Sequence, residues 1–113
     1  MAEHGEWTRK GASLSDVTAI DEYGVSQDFI LRGIRAGTLE YREGSIWGNP
    51  YLKILRSQLE QYITVELGSE FLACSKAKYE LRSVKTEIGS LRKRLKVLEN
   101  RKSQIEEALI IKQ

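Results

Sequence analysis

Cysteine and histidine are almost absent: 113 residues contain only Cys74 and His4. A single cysteine excludes an intrachain disulfide framework, and together with one histidine it leaves no plausible zinc or other soft-metal site. Long apolar runs are also missing. No stretch approaches the about 18 consecutive apolar residues of a spanning helix, and no apolar run follows a basic start at the N-terminus. These absences lead us to expect a soluble cytoplasmic protein with neither metal nor cofactor and no membrane partner. Paired carboxylates, a nucleophile beside a base and a glycine-rich phosphate loop are lacking too, so the chain is not expected to be an enzyme.

What is present is one modest apolar complement, 41% of residues, enough for a single compact domain and an appendage that buries little by itself. The formal charge of +2 conceals an asymmetry. Residues 1–66 carry seven basic against ten acidic side chains, a net −3, whereas residues 67–113 carry eleven against six, a net +5.

Residues 1–12, MAEHGEWTRKGA, show neither helical nor strand periodicity and are expected to form a flexible arm. From Ser13 the pattern sharpens. Ser15 is a suitable N-cap with Asp16 in the first turn, and Val17, Ala19, Ile20 and Tyr23 supply an apolar side, giving a helix over 15–23. Gly24 stops it in a left-handed conformation. Val25 re-enters the core, and Ser26 caps a second helix over 26–36 that carries Ile30 and Ile34 and ends before Gly37. Two such helices joined by a glycine-containing turn form a helix-turn-helix unit, whose second helix faces the major groove. Residues 39–42 and 51–54 read as short strands around a loop at 43–50, a hairpin of the kind called a wing, and Leu59, Tyr62 and Ile63 resume helical spacing after Arg56.

These pieces together, LSDVTAIDEYGVSQDFILRGIRAGTLEYREG with RSQLEQYI beyond the hairpin, resemble the excisionase and MerR-type winged helix-turn-helix domain over about residues 13–63. Lambda-type phage terminase small subunits have a similar head followed by helical dimerisation segments. The resemblance implies a mainly α fold, with a winged head over 13–67 and a two-stranded wing. It also implies that double-stranded DNA is met by Ser26, Gln27, Asp28, Leu31, Arg32 and Arg35 of the second helix, with Arg42 and Trp47 from the wing. By their hydrogen-bond geometries, Gln27 suits adenine and Arg32 or Arg35 suits guanine or phosphate. Two departures stand out. Gly33 replaces a large apolar residue, a space the neighbouring Phe29 is placed to refill, and Asp28 brings a charge that phosphates repel. Trp47 is expected to fold back over the hairpin in preference to meeting a groove or phosphate.

Beyond Gly68, Ser69 is placed to cap a helix running to about Ile111, about 65 Å at the usual rise, within a dimerisation segment over 69–113. Its apolar residues alternate in steps of three and four. Leu81, Ile88, Leu95, Lys102 and Leu109 take heptad position a, and Val84, Leu91, Leu98 and Ile105 take d, a coiled-coil seam interrupted only by Lys102. In a parallel in-register dimer the flanking pairs are Glu80–Lys85, Glu87–Arg92, Arg94–Glu99 and Arg101–Glu106, all opposite in sign. Antiparallel registers near the middle mix attraction with repulsion. The expectation is a parallel homodimer, although MerR-type regulators pair their helices antiparallel; a monomeric hairpin broken at Gly89-Ser90 is the third arrangement. Phe71 and Leu72 are placed to dock the helix base on Tyr62, Ile63 and Leu67, Cys74 to pack in register with a, and Ile110 and Ile111 lie off the seam as frayed end or partner contact.

The expected function is that of a dimeric, nucleoid-associated DNA-binding protein: a sequence-specific transcriptional regulator or a recombination directionality factor. The alternatives are a phage terminase small-subunit-like packaging protein, or a coiled-coil scaffold whose head docks a protein partner, as the −3 charge, Asp28 and Glu43 favour.

Overall fold

The computed structural model describes residues 4–112 and is mainly helical, with one three-stranded antiparallel sheet. The chain divides into two compact units whose boundary falls between Tyr79 and Glu80.

The first unit begins with a helix that the composition did not announce. Of the arm expected over residues 1–12, residues 1–3 lie outside the described residues, and in the remainder α1 (His4–Thr8) forms and buries Trp7. The Arg42 guanidinium covers the Trp7 ring at 4.5 Å, and Ser57 Oγ donates to Glu6 at 2.8 Å. A lone tryptophan carries no periodicity, which is why the segment reads as irregular. Strand β1 (Ser13–Ser15) follows, and Ser15 caps α2 (Asp16–Tyr23) by accepting from the Thr18 N–H at 3.1 Å. Ala19 and Tyr23 face the core, with Ile20 half-buried, but Val17 is turned outward and Asp16 takes an inward position instead. Gly24 ends α2 at φ 68°, and Ser26 caps α3 (Gln27–Arg35) by accepting from Phe29 N–H.

The hairpin is longer and tighter than the residue types indicate. Strands β2 (Tyr41–Ile46) and β3 (Asn49–Leu55) pair from Tyr41↔Ile54 to Ile46↔Asn49, so the expected eight-residue loop shrinks to Trp47-Gly48. Gly44 sits inside β2 because the Tyr51 ring occupies its side-chain position; a Cβ there would lie 2.5 Å from Tyr51 Cζ. β3 is central in the order β1-β3-β2, with β1 on its other edge.

Helix α4 (Arg56–Leu67) closes the core formed by Leu14, Tyr23, Val25, Phe29, Ile30, Leu39, Ile54, Leu59, Tyr62 and Ile63. Each large apolar side chain so buried contributes about 1.5–3 kcal/mol. The space at Gly33 is filled by Tyr62 and Leu39: a Cβ at position 33 would meet Tyr62 Cε2 at 2.7 Å and Leu39 Cδ1 at 2.8 Å. Phe29, expected to refill it, instead stacks on Tyr62 with ring centroids 4.4 Å apart, and Tyr62 Oη donates to the Phe29 carbonyl at 2.9 Å.

Arg56 ties the start of α4 to the rest. Its backbone N–H donates to Ala12 O at 2.8 Å, Nε to Gly11 O at 3.1 Å, and Nη1 to Glu22 at 2.6 Å and to Tyr23 Oη at 2.7 Å. Tyr23 in turn donates to Glu60, which Lys76 reaches at 3.4 Å. Burial first, and then the bond to Glu60, raise the Tyr23 phenol well above its ordinary value of 10, against the opposing charge of Arg56.

Helix α5 (Ser69–Lys112) starts where expected, but Leu72 N–H bonds to Gly68 O, so Gly68 stands at the cap and Ser69 is the first helical residue. Leu72 packs on the core, whereas Phe71 and Leu67 remain partly exposed and are not among the residues of the core cluster. The helix passes through Gly89-Ser90 unbroken, which removes the hairpin arrangement. In the second unit every seam residue is exposed in the single chain, the apolar ones at 42–56%. No helix among the described residues is long and apolar enough to cross a membrane.

Gly33→Ala is expected to destabilise the first unit, because overpacking costs about 1–3 kcal/mol while helix propensity returns only about 1. Gly89→Ala has open space around its new methyl and is expected to stabilise α5 by roughly 0.5–1 kcal/mol. Urea unfolding of both variants checks the contrast, and a stabilised Gly33→Ala chain would contradict the packing.

Tyr23 generates a pH dependence. A phenol that ionises more readily unfolded than folded loses stability for the fold once it begins to ionise in the unfolded chain. Stability is therefore level on this account below about pH 10 and declines above it. Tyr23→Phe is expected to lower stability at neutral pH by about 1–3 kcal/mol through its lost hydrogen bonds and to flatten the alkaline decline. An unchanged alkaline slope in urea titrations would refute the assignment.

Candidate nucleic-acid interface

α3 exposes one stripe. Asp28, Arg32 and Arg35 recur at i, i+4 and i+7, with half-buried Leu31 between them, while Phe29, Ile30 and Gly33 turn inward. The inward face is held by Tyr62, so the outward face follows from it. Burial raises the Tyr62 phenol, and the positive charge of Arg32 opposes that shift.

The cations on the stripe differ in their engagement. Arg32 Nε lies 3.2 Å from Asp28 Oδ2, and its guanidinium carbon is 5.9 Å from the Phe29 ring centroid. Both members of this ion pair are well exposed, a class of contact worth only about 0.2–1 kcal/mol, so Arg32 exchanges partners readily. Asp28 thus damps the charge of Arg32 without fixing it. Arg35, exposed in the last turn, makes no ion pair among the described residues.

At the other end of α3 the side chains are already committed. The Ser26 hydroxyl accepts from Phe29 N–H at 3.1 Å, and Gln27 Nε2 donates to Asp16 Oδ2 at 3.0 Å. Asp16 is buried, and its Oδ1 also accepts from Val17 N–H at 3.1 Å and from Leu52 N–H at 3.3 Å. One carboxylate therefore joins the start of α2, the first turn of α3 and the central strand. Beside it, Gln27, Glu43, Ser45 and Tyr51 line a groove of about 670 Å³ between α3 and the hairpin.

On the hairpin, Arg42 is held over the Trp7 ring, so its cation is shared with the fold. Trp47 does not fold back. It is 96% exposed at the tip of the turn, with a positive φ of 54°, next to Gly48 at φ 82°. From Gly44 to Leu52 the hairpin carries no charged residue, so its tip offers an aromatic surface without a phosphate-binding cation.

The structure thus brings Asp28, Leu31, Arg32 and Arg35 together on one face, ties Ser26, Gln27 and Arg42 into the fold, and presents Trp47 alone. Asp16 and the groove beside it went unrecognised in the sequence, because a carboxylate in a first helical turn has the same appearance whether it faces solvent or core. In the second unit Lys102 lies 3.6 Å from Glu106, one turn on. Cys74, expected to pack, is exposed in the single chain. No group of three metal-ligating side chains occurs among the described residues. Comparison with protein-family models, curated proteins and solved structures returned no match.

A large side chain held at positive φ with nothing packed on it burdens the fold. Asparagine tolerates that conformation, and Asn-Gly is the preferred pair for such a two-residue turn. Trp47→Asn is therefore expected to raise the stability of the first unit by about 1 kcal/mol. Thermal and urea unfolding test this, and a less stable variant would mean that Trp47 serves the fold.

Proposed function

We propose that this chain is a DNA-binding protein with a winged helix-turn-helix head, reading the major groove with α3 and acting as a pair of chains joined along α5. The observation that carries this reading is the exposed stripe of Arg32 and Arg35 on a helix whose opposite face is fixed by Tyr62. The three-residue turn Gly24–Ser26 before α3 and the hairpin after it give the element order that such heads use. Arg32 and Arg35 suit phosphates or guanine edges by their planar donor forks, and Leu31 suits a thymine methyl. Trp47 contributes an apolar groove contact that needs no charge.

Part of the negative charge of residues 1–66 is engaged within the fold. Glu22 and Glu60 are engaged with Arg56, Tyr23 and Lys76, and Asp16 is internal. Transcriptional control, excision-type recombination and DNA packaging all fit a paired reader of this kind, and the fold does not choose among them. A protein-docking head on a dimeric scaffold is the second reading, favoured by Glu43 and the uncharged hairpin tip.

Binding to random duplex DNA at low salt tests the proposal. The parent chain is expected to bind and to weaken as salt rises. Arg32→Ala with Arg35→Ala is expected to bind less and to lose about 0.9 from the logarithmic salt slope for each phosphate contact removed. Trp47→Asn is expected to weaken binding with the slope unchanged. Absence of binding at every low salt concentration would reject the DNA reading and favour the scaffold.

A further inference from the structure

We infer that α5 takes a second copy of itself as its partner, in parallel and in register. This specifies the pairing within the proposed function and does not depend on DNA.

The helix presents an apolar seam with no cover in the single chain. Leu81, Val84, Ile88, Leu91, Leu95, Leu98, Ile105 and Leu109 are 42–56% exposed, and α5 has no buried residue. The steps of three and four keep them on one side of an unbroken helix, the pattern that supercoils with a like helix. Gly89 does not interrupt it, since a Cβ there would meet nothing within 4 Å.

The flanking charges identify the occupant. Glu80, Glu87, Arg94 and Arg101 directly precede a positions, and Lys85, Arg92, Glu99 and Glu106 directly follow the d positions. The sign changes midway along both rows. A copy laid parallel and in register sets Glu80 against the partner's Lys85 and Glu87 against the partner's Arg92. It also sets Arg94 against the partner's Glu99 and Arg101 against the partner's Glu106. Every contact is attractive. Laid antiparallel about the middle of the seam, Lys85 meets the partner's Glu99 and Glu87 the partner's Arg101, but Arg92 meets the partner's Arg92 and Arg94 the partner's Arg94, so attraction is mixed with repulsion. Exposed pairs are individually weak, but complementarity of this kind selects orientation and register. Lys102 at position a adds a further constraint: a charged group there is tolerated where two helices leave it a route to solvent, and Glu106 at 3.6 Å supplies its counter-charge. Two strands follow.

One heptad before Leu81 the same seam position holds Cys74, the only cysteine, exposed in the single chain. In the parallel register it lies opposite the partner's Cys74, within reach of a disulfide. In the antiparallel register it lies near the far end of the partner helix. Orientation is therefore readable in the full chain as it stands.

Sedimentation at micromolar concentration is expected to give dimers. Oxidation with diamide, which takes two electrons and two protons from the facing thiols, is expected to convert them to disulfide-linked dimers, and Cys74→Ser to abolish the link but not the dimer. Two further variants, one carrying Glu80→Lys and Glu87→Lys and the other Lys85→Glu and Arg92→Glu, are each expected to dissociate alone by at least tenfold and to pair when mixed. Dimers that do not cross-link, and whose charge variants fail to recover on mixing, would overturn the parallel register while leaving a paired DNA reader intact. Single chains at every concentration would overturn the pairing itself.

Discussion

The fit of the Tyr62 ring into the space left by Gly33 is the contact on which the first unit's outward face depends. Glycine in a helix interior sacrifices about 1 kcal/mol relative to alanine. Admitting a buried aromatic ring returns more, since such a ring removes about 150–250 Å² from water at about 25 cal/mol per Å². The tyrosine hydroxyl then reaches the Phe29 carbonyl, and its ring stacks on Phe29, so the ring spans more than one turn of α3. A helix held at this many points cannot rotate about its axis. The direction in which Arg32 and Arg35 point is thus a consequence of what happens on the opposite side.

Two polar hubs complete the frame, and they explain why the first unit can be acidic without being acidic everywhere. Asp16 holds the start of α2, Gln27 and β3 together; Arg56 holds residues 11 and 12, α2 and α4. No buried side-chain polar atom among the described residues lacks a partner. Breaking either hub would leave a charge desolvated and unpaired, far costlier than losing a surface ion pair. The carboxylates at these hubs serve cohesion, and the α3 stripe is left with Asp28 against two arginines.

The helices from α2 onward were legible in the sequence because their signals are local. Ser15 and Ser26 cap, Gly24 and Gly37 take positive φ, and the spacing of three and four along α5 needs no tertiary information. What was illegible depended on distant partners. Trp7 is isolated in its segment and acquires meaning only from Arg42. Gly44 resembles a loop residue until Tyr51 is laid across it, and Trp47-Gly48 resembles no familiar hairpin pair because tryptophan is a poor occupant of positive φ. Asp16 and Val17 exchanged their expected roles, since a serine cap fixes where a helix starts but not which side of its first turn faces the core. Of the candidate interface, the arginines of α3 were singled out through the family resemblance, whereas the engagement of Gln27 by Asp16 and of Arg42 by Trp7 was not foreseen.

The small number of cations on α3 is what gives pairing along α5 its importance to the proposed DNA reader. A head that presents two arginines neutralises few phosphates, and affinity from counterion release grows with each phosphate met. On the proposed reading one head alone is therefore a weak binder, with a shallow salt slope because few phosphates are met. Joining two heads makes the second encounter intramolecular, governed by an effective concentration set by the tether instead of by the protein's own concentration, and raises the overall affinity with no new contact. In the proposed dimer the interruption of the seam by Lys102 restricts pairing to two chains, so the gain would stop at a pair of heads and favour a target with two half-sites. Under the same proposal an uncharged contact from Trp47 would add affinity that salt does not screen, which matters most to a reader so poorly supplied with charge.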